Sequence, residues 1–173
     1  MSEFPITLIL GGAASGKSSF AENLCFKTEK PRFYIATAQA FDDEMRAKIT
    51  DHKDQRGTGW TTIEAPLDIT DALKSCPAGS VVLLDCATLW LSNMLLAERD
   101  ITSAGTVLCD AIANCPAQVI SVSNEVGHGI VPDNKMARQF RNAQGQLNQA
   151  LAAQAGLVVQ VIAGLPQTLK GTL

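Results

Sequence analysis

One octapeptide limits the folds open to this chain. Gly11-Gly12-Ala13-Ala14-Ser15-Gly16-Lys17-Ser18 fits G-x-x-x-x-G-K-[ST] without a gap. A short apolar run, Ile6 to Leu10, comes immediately before it, and a helical pattern, Ser18 to Lys27, immediately after. Glycines let backbone N–H groups turn inward around an anion. A helix beginning near Lys17 aims its positive end at the same anion. The Lys17 ammonium is then expected to reach the β- and γ-phosphates of a nucleotide, and the Ser18 hydroxyl to ligate Mg²⁺. The competing reading is a glycine-rich turn with an accidental Lys-Ser, and strand, loop and helix together weigh against it. The motif specifies a nucleotide site. It does not specify a reaction, because many chemistries share this loop.

The rest of the chain repeats the strand-then-helix rhythm. Apolar runs at Phe33 to Thr37, Val81 to Leu84, Val119 to Val122 and Leu157 to Ala163 are continuous rather than alternating. Continuous runs suit strands covered on both faces, as in a parallel sheet. Helical patterns occupy Asp42 to Arg56, Cys86 to Ala97 and Asn134 to Ala155. In the last of these Met136, Phe140, Ala143, Leu147 and Leu151 form one stripe, and Pro132 and Asp133 mark its start. The polar stretch Ala97 to Gly105 is expected to be a loop. Such alternation implies an α/β domain with a largely parallel sheet. No repeat or linker divides the chain, so residues 1–173 are expected to form one catalytic domain.

Composition removes several classes of function. With 46% hydrophobic and 18% charged residues, the chain is not a disordered, solvating protein. A net charge of −3 argues against broad adhesion to nucleic acid or anionic membranes. No apolar run approaches the length of about 18 residues that spans a bilayer. The segment MSEFPITLILGG has an acidic residue where a signal peptide carries positive charge. The five cysteines contain no CxxC pair. They are expected to be reduced thiols in a cytoplasmic protein, two of them in the core.

Beside the phosphate loop, Asp85 caps the aliphatic run Val81 to Leu84, where a second carboxylate for Mg²⁺ is expected. The chain has two histidines. On a helix, Met45, Ile49, His52 and Arg56 share one face. A histidine there is either a half-buried structural imidazole or a nucleophile toward phosphorus, with Arg56 one turn away to neutralise phosphate charge. Helical spacing does not decide between them. Asn124 and Glu125 follow a strand end and are expected near the ligand crevice. His128, between two glycines, is expected to be a solvated loop residue. Two histidines so spaced give no zinc signature.

Together these segments resemble one family, the bifunctional adenosylcobinamide kinase / adenosylcobinamide-phosphate guanylyltransferases of cobalamin biosynthesis. The resemblance covers GGAASGKS at Gly11 to Ser18, YIATAQAFDDEM at Tyr34 to Met45 and ITDHKDQR around His52. It continues through Trp60 to Glu64, LLDCATLWLSNML at Leu83 to Leu95, SNEVGHGIVPDN at Ser123 to Asn134, the Ala137 to Ala152 segment, and AGLPQTLKG at Ala163 to Gly171. The phosphate loop is generic, whereas HKDxR and SNEVGxGIVP are far more specific.

The resemblance implies a P-loop NTPase fold, a RecA-like three-layer sandwich around a mostly parallel sheet, in subunits that associate as homotrimers. It implies two reactions. A triphosphate, ATP or GTP, phosphorylates the aminopropanol hydroxyl of adenosylcobinamide. A histidine then attacks the α-phosphorus of GTP, and the resulting GMP–histidine passes GMP to adenosylcobinamide phosphate, giving adenosylcobinamide-GDP. The histidine preceding Lys-Asp-x-Arg is His52. The family's nucleotide contacts fall on Gly11 to Ser18, on Ala36, Thr37 and Ala38, on Lys53, Asp54, Gln55 and Arg56, and on Glu64 and Asp85. Ser18 and Asp85 are the implied Mg²⁺ ligands.

Many members carry arginine where this chain has Ala14, and the position of His128 varies among them, so the resemblance transfers no role to it. The corrinoid surface is implied to lie on an exposed face or at a subunit boundary. Two other classes stay open on the residues alone. One is a monofunctional P-loop small-molecule kinase using Lys17, Ser18 and Asp85. The other is a nucleotide-dependent switch in which Gln39 or Gln55 positions a hydrolytic water.

Overall fold

The computed structural model describes residues 4–39, 43 and 56–173. Its strands are β1 (Ile6–Gly11), β2 (Arg32–Ala36), β3 (Trp60–Glu64), β4 (Val81–Asp85), β5 (Gln118–Asn124), β6 (Leu157–Ile162) and β7 (Leu165–Lys170). The described helices are α1 (Lys17–Lys27), α2 (Ile69–Ser75), α3 (Ala87–Leu96), α4 (Ile101–Ala113) and α5 (Lys135–Gln154). The strands form one seven-stranded sheet in the order β3-β2-β4-β5-β1-β6-β7. All neighbours pair in parallel except the β6–β7 hairpin. Strand β5 stands between the phosphate-loop strand β1 and the strand β4 that ends in Asp85. This is the RecA-like three-layer arrangement.

Apolar burial explains why the strands read as unbroken hydrophobic runs. Side chains alternate across a strand. Leu8, Val82, Leu84 and Val119 pack on one face with α2, α3, α4 and α5. Ile9, Val81, Leu83 and Ile120 pack on the other, where α1 contributes Ala21 and Cys25. Both faces are covered, so a polar residue at either parity would be buried. Each such aliphatic side chain stabilises the fold by roughly 1.5–3 kcal/mol relative to an exposed one.

The differences from the sequence-based expectations have local causes. The Ala97 to Gly105 stretch is not all loop, because α4 begins at Ile101. Asp100 caps it, accepting a hydrogen bond from Thr102 N–H at 2.9 Å. The threonines, serine and glycine of ITSAGTVLCDAIA hide a buried stripe of Ala104, Leu108, Ala111 and Ile112. Strand β3 is an edge strand with two exposed threonines, and β7 is exposed throughout. Neither carries a continuous apolar run. In α5 the expected stripe holds at Leu147 and Leu151, whereas Met136 is exposed. Gln144 and Asn148 are buried there instead. All five cysteines are free, and three rather than two are buried: Cys25, Cys76 and Cys86. Asp43 and Arg56, the described residues of the Asp42 to Arg56 segment, are helical. His52, Lys53, Asp54 and Gln55 lie outside the described residues. No described helix is long and apolar enough to cross a membrane.

Candidate nucleotide site

Parallel strands bring their carboxyl ends to one edge of the sheet, where α/β folds bind ligands. Register sets the level of each residue there. Glu64, Ala36 and Asp85 stand side by side on β3, β2 and β4. Asn124, Gly11 and Val161 do the same on β5, β1 and β6. Most positions expected from the sequence therefore converge on one rim without any adjustment of the fold.

The phosphate loop connects β1 to α1. Gly16 has φ +92° and serves as the N-cap of α1 without a side-chain cap. That left-handed backbone leaves the first-turn N–H groups of the helix pointing outward. Gly11 is a glycine for a different reason. Its φ is ordinary, but a Cβ would lie 2.7 Å from the Val161 carbonyl oxygen and would overlap Ser15 Oγ. Gly12, Ala13, Ala14 and Gly16 are exposed, while Ser15 and Ser18 are half-buried. Lys17 is buried, and its Nζ donates to the Gly12 carbonyl at 3.0 Å. The ammonium is thus folded back across the mouth of its own loop.

A second element holds the loop from the side. The β6–β7 turn places Ala163 and Gly164 at positive φ. From this turn Gly164 N–H donates to the Ser15 carbonyl at 2.8 Å. At the root of the loop, Glu125 N–H donates to the Gly11 carbonyl at 3.0 Å. Ser15 Oγ is buried and has no hydrogen-bond partner among the described residues. A buried hydroxyl left unpaired is costly, and a bound phosphate oxygen would satisfy it.

Asp85 is half-buried at the end of β4. Tyr34 OH donates to its Oδ2 at 3.1 Å. The Arg56 guanidinium lies over the Tyr34 ring, with Cζ 3.4 Å from the ring centroid. Burial first, then the Asp85 charge, pushes the Tyr34 hydroxyl well above its ordinary pKa, so it stays a neutral donor. Burial, reinforced by Asp85, likewise pushes the Cys86 thiol up to about 12. Cys86 is therefore not a nucleophile near neutrality.

Thr37 locks this corner. Its hydroxyl donates to the Cys86 carbonyl at 2.9 Å and accepts from Cys86 N–H at 2.8 Å. Its own carbonyl accepts from Asn93 Nδ2 at 2.7 Å. Ala36 and Ala38 beside it are half-buried, and Glu64 is exposed. His128 is exposed in its loop.

Three features of the rim escaped the sequence. A buried polar network ties β5 to α3 and α5: Ser123 Oγ donates to Asn148 Oδ1 at 2.6 Å, and Gln144 Nε2 donates to Ser123 Oγ at 2.9 Å. Asn148 Nδ2 donates to the Asn124 carbonyl at 3.0 Å, and Thr88 Oγ1 accepts from Asn124 N–H at 2.8 Å. Polar residues inside an apolar stripe were the available signal. The second feature is the Gly164 turn, for which AGLP was a cue. The third is Tyr34, the chain's single tyrosine.

Oxygen donors from Ser18 and Asp85 fit a hard divalent cation such as Mg²⁺, and the unpaired Ser15 hydroxyl fits an anion beside it. No group of three or more His, Cys, Asp or Glu side chains forms a metal cluster among the described residues.

Residues 7–169 match the family model described as cobinamide kinase / cobinamide phosphate guanyltransferase. The bifunctional adenosylcobalamin biosynthesis protein CobP of Pseudomonas aeruginosa is 42% identical over 167 residues, covering 95% of this chain and 96% of its own. The bifunctional adenosylcobalamin biosynthesis protein CobU of Salmonella typhimurium is 41% identical over 180 residues, covering 94% and 98%. Among solved structures, a Pyrococcus horikoshii OT3 protein superposes with a TM-score of 0.51 at 10% identity over 97% of this chain and 87% of its own, a likeness of fold alone. With the phosphate loop intact and the match running nearly end to end, the chain belongs to the cobinamide kinase / cobinamide phosphate guanyltransferase family.

Proposed function

We infer that this protein catalyses two successive steps of cobalamin biosynthesis on one scaffold. In the first, the aminopropanol hydroxyl of adenosylcobinamide attacks the γ-phosphorus of ATP or GTP. The bond to the β-phosphate oxygen breaks, a nucleoside diphosphate leaves, and the hydroxyl proton is lost. In the second, an imidazole nitrogen of His52 attacks the α-phosphorus of GTP and pyrophosphate leaves. A phosphate oxygen of adenosylcobinamide phosphate then displaces the imidazole, giving adenosylcobinamide-GDP.

The phosphate-loop N–H groups and Lys17 stabilise the charge that spreads over the transferring phosphoryl group. Lys17 needs only to swing its Nζ from the Gly12 carbonyl onto a phosphate oxygen. Ser18 and Asp85 would hold Mg²⁺, which would supply positive charge to neutralise the charge developing on the transferring phosphate. Arg56 supports the α-phosphate during guanylyl transfer. Gly11 to Gly16, with Ala36, Thr37, Ala38, Lys53, Asp54, Gln55 and Glu64, complete the nucleotide contacts. Thr37 is fully buried, with its hydroxyl and carbonyl engaged within the protein, so its part is to hold the backbone of Ala36 and Ala38 in place. The family resemblance adds a cytoplasmic setting and a homotrimer.

What carries this reading is the conjunction of the intact loop, with Lys17 already turned inward, and relatives whose names are bifunctional. Those names favour it over a kinase with no covalent step. The test incubates the protein with adenosylcobinamide, ATP, GTP and Mg²⁺ and follows corrinoids by mass spectrometry. A phosphorylated corrinoid followed by its GDP conjugate is expected. Phosphorylation that stops there would make the protein a kinase only, and nucleotide hydrolysis with no corrinoid product would make it a switch.

A further inference from the structure

Tyr34 touches two groups to which the proposed chemistry gives separate roles. Its hydroxyl donates to Asp85 Oδ2 at 3.1 Å, and its ring face carries the Arg56 guanidinium at 3.4 Å. The ring has little freedom. Tyr34 is buried, and Trp60 meets it edge-on with centroids 6.1 Å apart. Trp60 is in turn set edge-on to Phe26 at 5.8 Å, and Arg32 lies over the Phe26 ring at 4.5 Å. Three aromatic rings flanked by two arginines thus run from α1 across the edge of the sheet to Asp85.

Neither contact by itself blocks a ligand. A carboxylate has about four lone-pair sites on two oxygens, and the Tyr34 hydroxyl takes one of them. This is how groups behind a metal ligand usually act. Stacking occupies the faces of a guanidinium and leaves its N–H edge for phosphate oxygens. Arg56 is buried, and its Nε has no hydrogen-bond partner among the described residues.

We propose that Tyr34 is a positioning residue for both reactions, orienting the Asp85 carboxylate through its hydroxyl and the Arg56 guanidinium through its ring. The idea rests on the roles given above to Asp85 and Arg56. Two substitutions separate its halves. Tyr34→Phe removes the hydroxyl and keeps the ring, whereas Tyr34→Leu removes both.

The first readout is Mn²⁺ binding in the presence of a non-hydrolysable GTP analogue, followed by electron paramagnetic resonance of the free ion. It needs no turnover. Tyr34→Phe is expected to weaken Mn²⁺ binding about tenfold, the lower end of what loss of a supporting hydrogen bond does at metal sites. The second readout is the rate at which GTP labelled at the α-phosphate marks the protein at saturating metal. Tyr34→Leu is expected to label about tenfold more slowly than Tyr34→Phe, in the range of a desolvated cation–π contact. Should Tyr34→Leu melt early, Arg56→Lys keeps the charge without the flat guanidinium and is expected to slow labelling similarly.

Wild-type Mn²⁺ affinity in Tyr34→Phe, or no Mn²⁺ binding by the wild type, would overturn the proposal. So would equal labelling of Tyr34→Leu and Tyr34→Phe. If the wild type takes no label, it is the covalent reading that fails, and the Mn²⁺ arm alone decides the role of Tyr34.

Discussion

Lys17→Ala is expected to reduce phosphoryl transfer to adenosylcobinamide by about a thousandfold, the upper range for removing one preorganised donor from a water-excluded site. Lys17 Nζ sits 3.0 Å from the Gly12 carbonyl in a buried position, so its charge is already at the loop and has only to turn onto the phosphate. The loss should fall mainly on kcat, because the charge it meets grows as the phosphoryl group transfers. Stability should not fall with activity. The ammonium is buried against one backbone acceptor, the Gly12 carbonyl, and removing a poorly solvated charge relieves a desolvation cost. Steady-state kinetics beside a thermal melt would check both. A Lys17→Ala protein with ordinary kcat would remove the phosphate loop from the kinase mechanism.

Gly11→Ala should cost about a hundredfold in GTP affinity or turnover, the penalty expected when catalytic groups shift by about 1 Å. A methyl at this position needs no unusual backbone, so its effect is purely steric. It meets the Val161 carbonyl oxygen at 2.7 Å and overlaps Ser15 Oγ, and the first of these is backbone that cannot rotate away. The loop must move, and with it the Gly164-to-Ser15 hydrogen bond that braces it. Isothermal titration with GTP would show the loss. Gly145→Ala on α5 is the control, because nothing lies within 4 Å of its added methyl. Equal affinities in the two variants would mean that the loop tolerates displacement.

The layered fold was legible because its cause is legible. Val81 to Leu84 are all buried, two on each face, and only a doubly covered strand tolerates four aliphatics in a row. The phosphate loop was legible because backbone geometry and anion binding demand the same glycines. Strands β3 and β7 were not, since an edge strand needs no continuous apolar run, and WTTIE and LPQTLK have none. Helix α4 was hidden by residues of weak helical propensity around a sound stripe.

The site divides along similar lines. Gly11 and Asp85 reach one rim because both end parallel strands of one sheet, and the loop after Gly11 starts from that rim. Tyr34 was legible only as an apolar strand residue, because its contacts to Asp85 and Arg56 cross the sheet from separate segments. Gln144 and Asn148 were hidden in the same way. Their partners, Ser123 and the Asn124 carbonyl, are more than twenty residues away along the chain. Sequence periodicity reports which face a residue occupies, and it is silent about which distant polar group waits there.

The central claim is a covalent GMP–His52 intermediate, and labelling with GTP radioactive at the α-phosphate tests it most directly. Wild type and His52→Ala would be incubated with the labelled nucleotide and Mg²⁺, then split between acid and alkali. The account predicts label on the wild type that is lost in acid and kept in alkali, as a phosphoramidate behaves, and none on His52→Ala. A folded wild type that binds GTP and takes no label, or a His52→Ala protein labelled to the same extent, would contradict it.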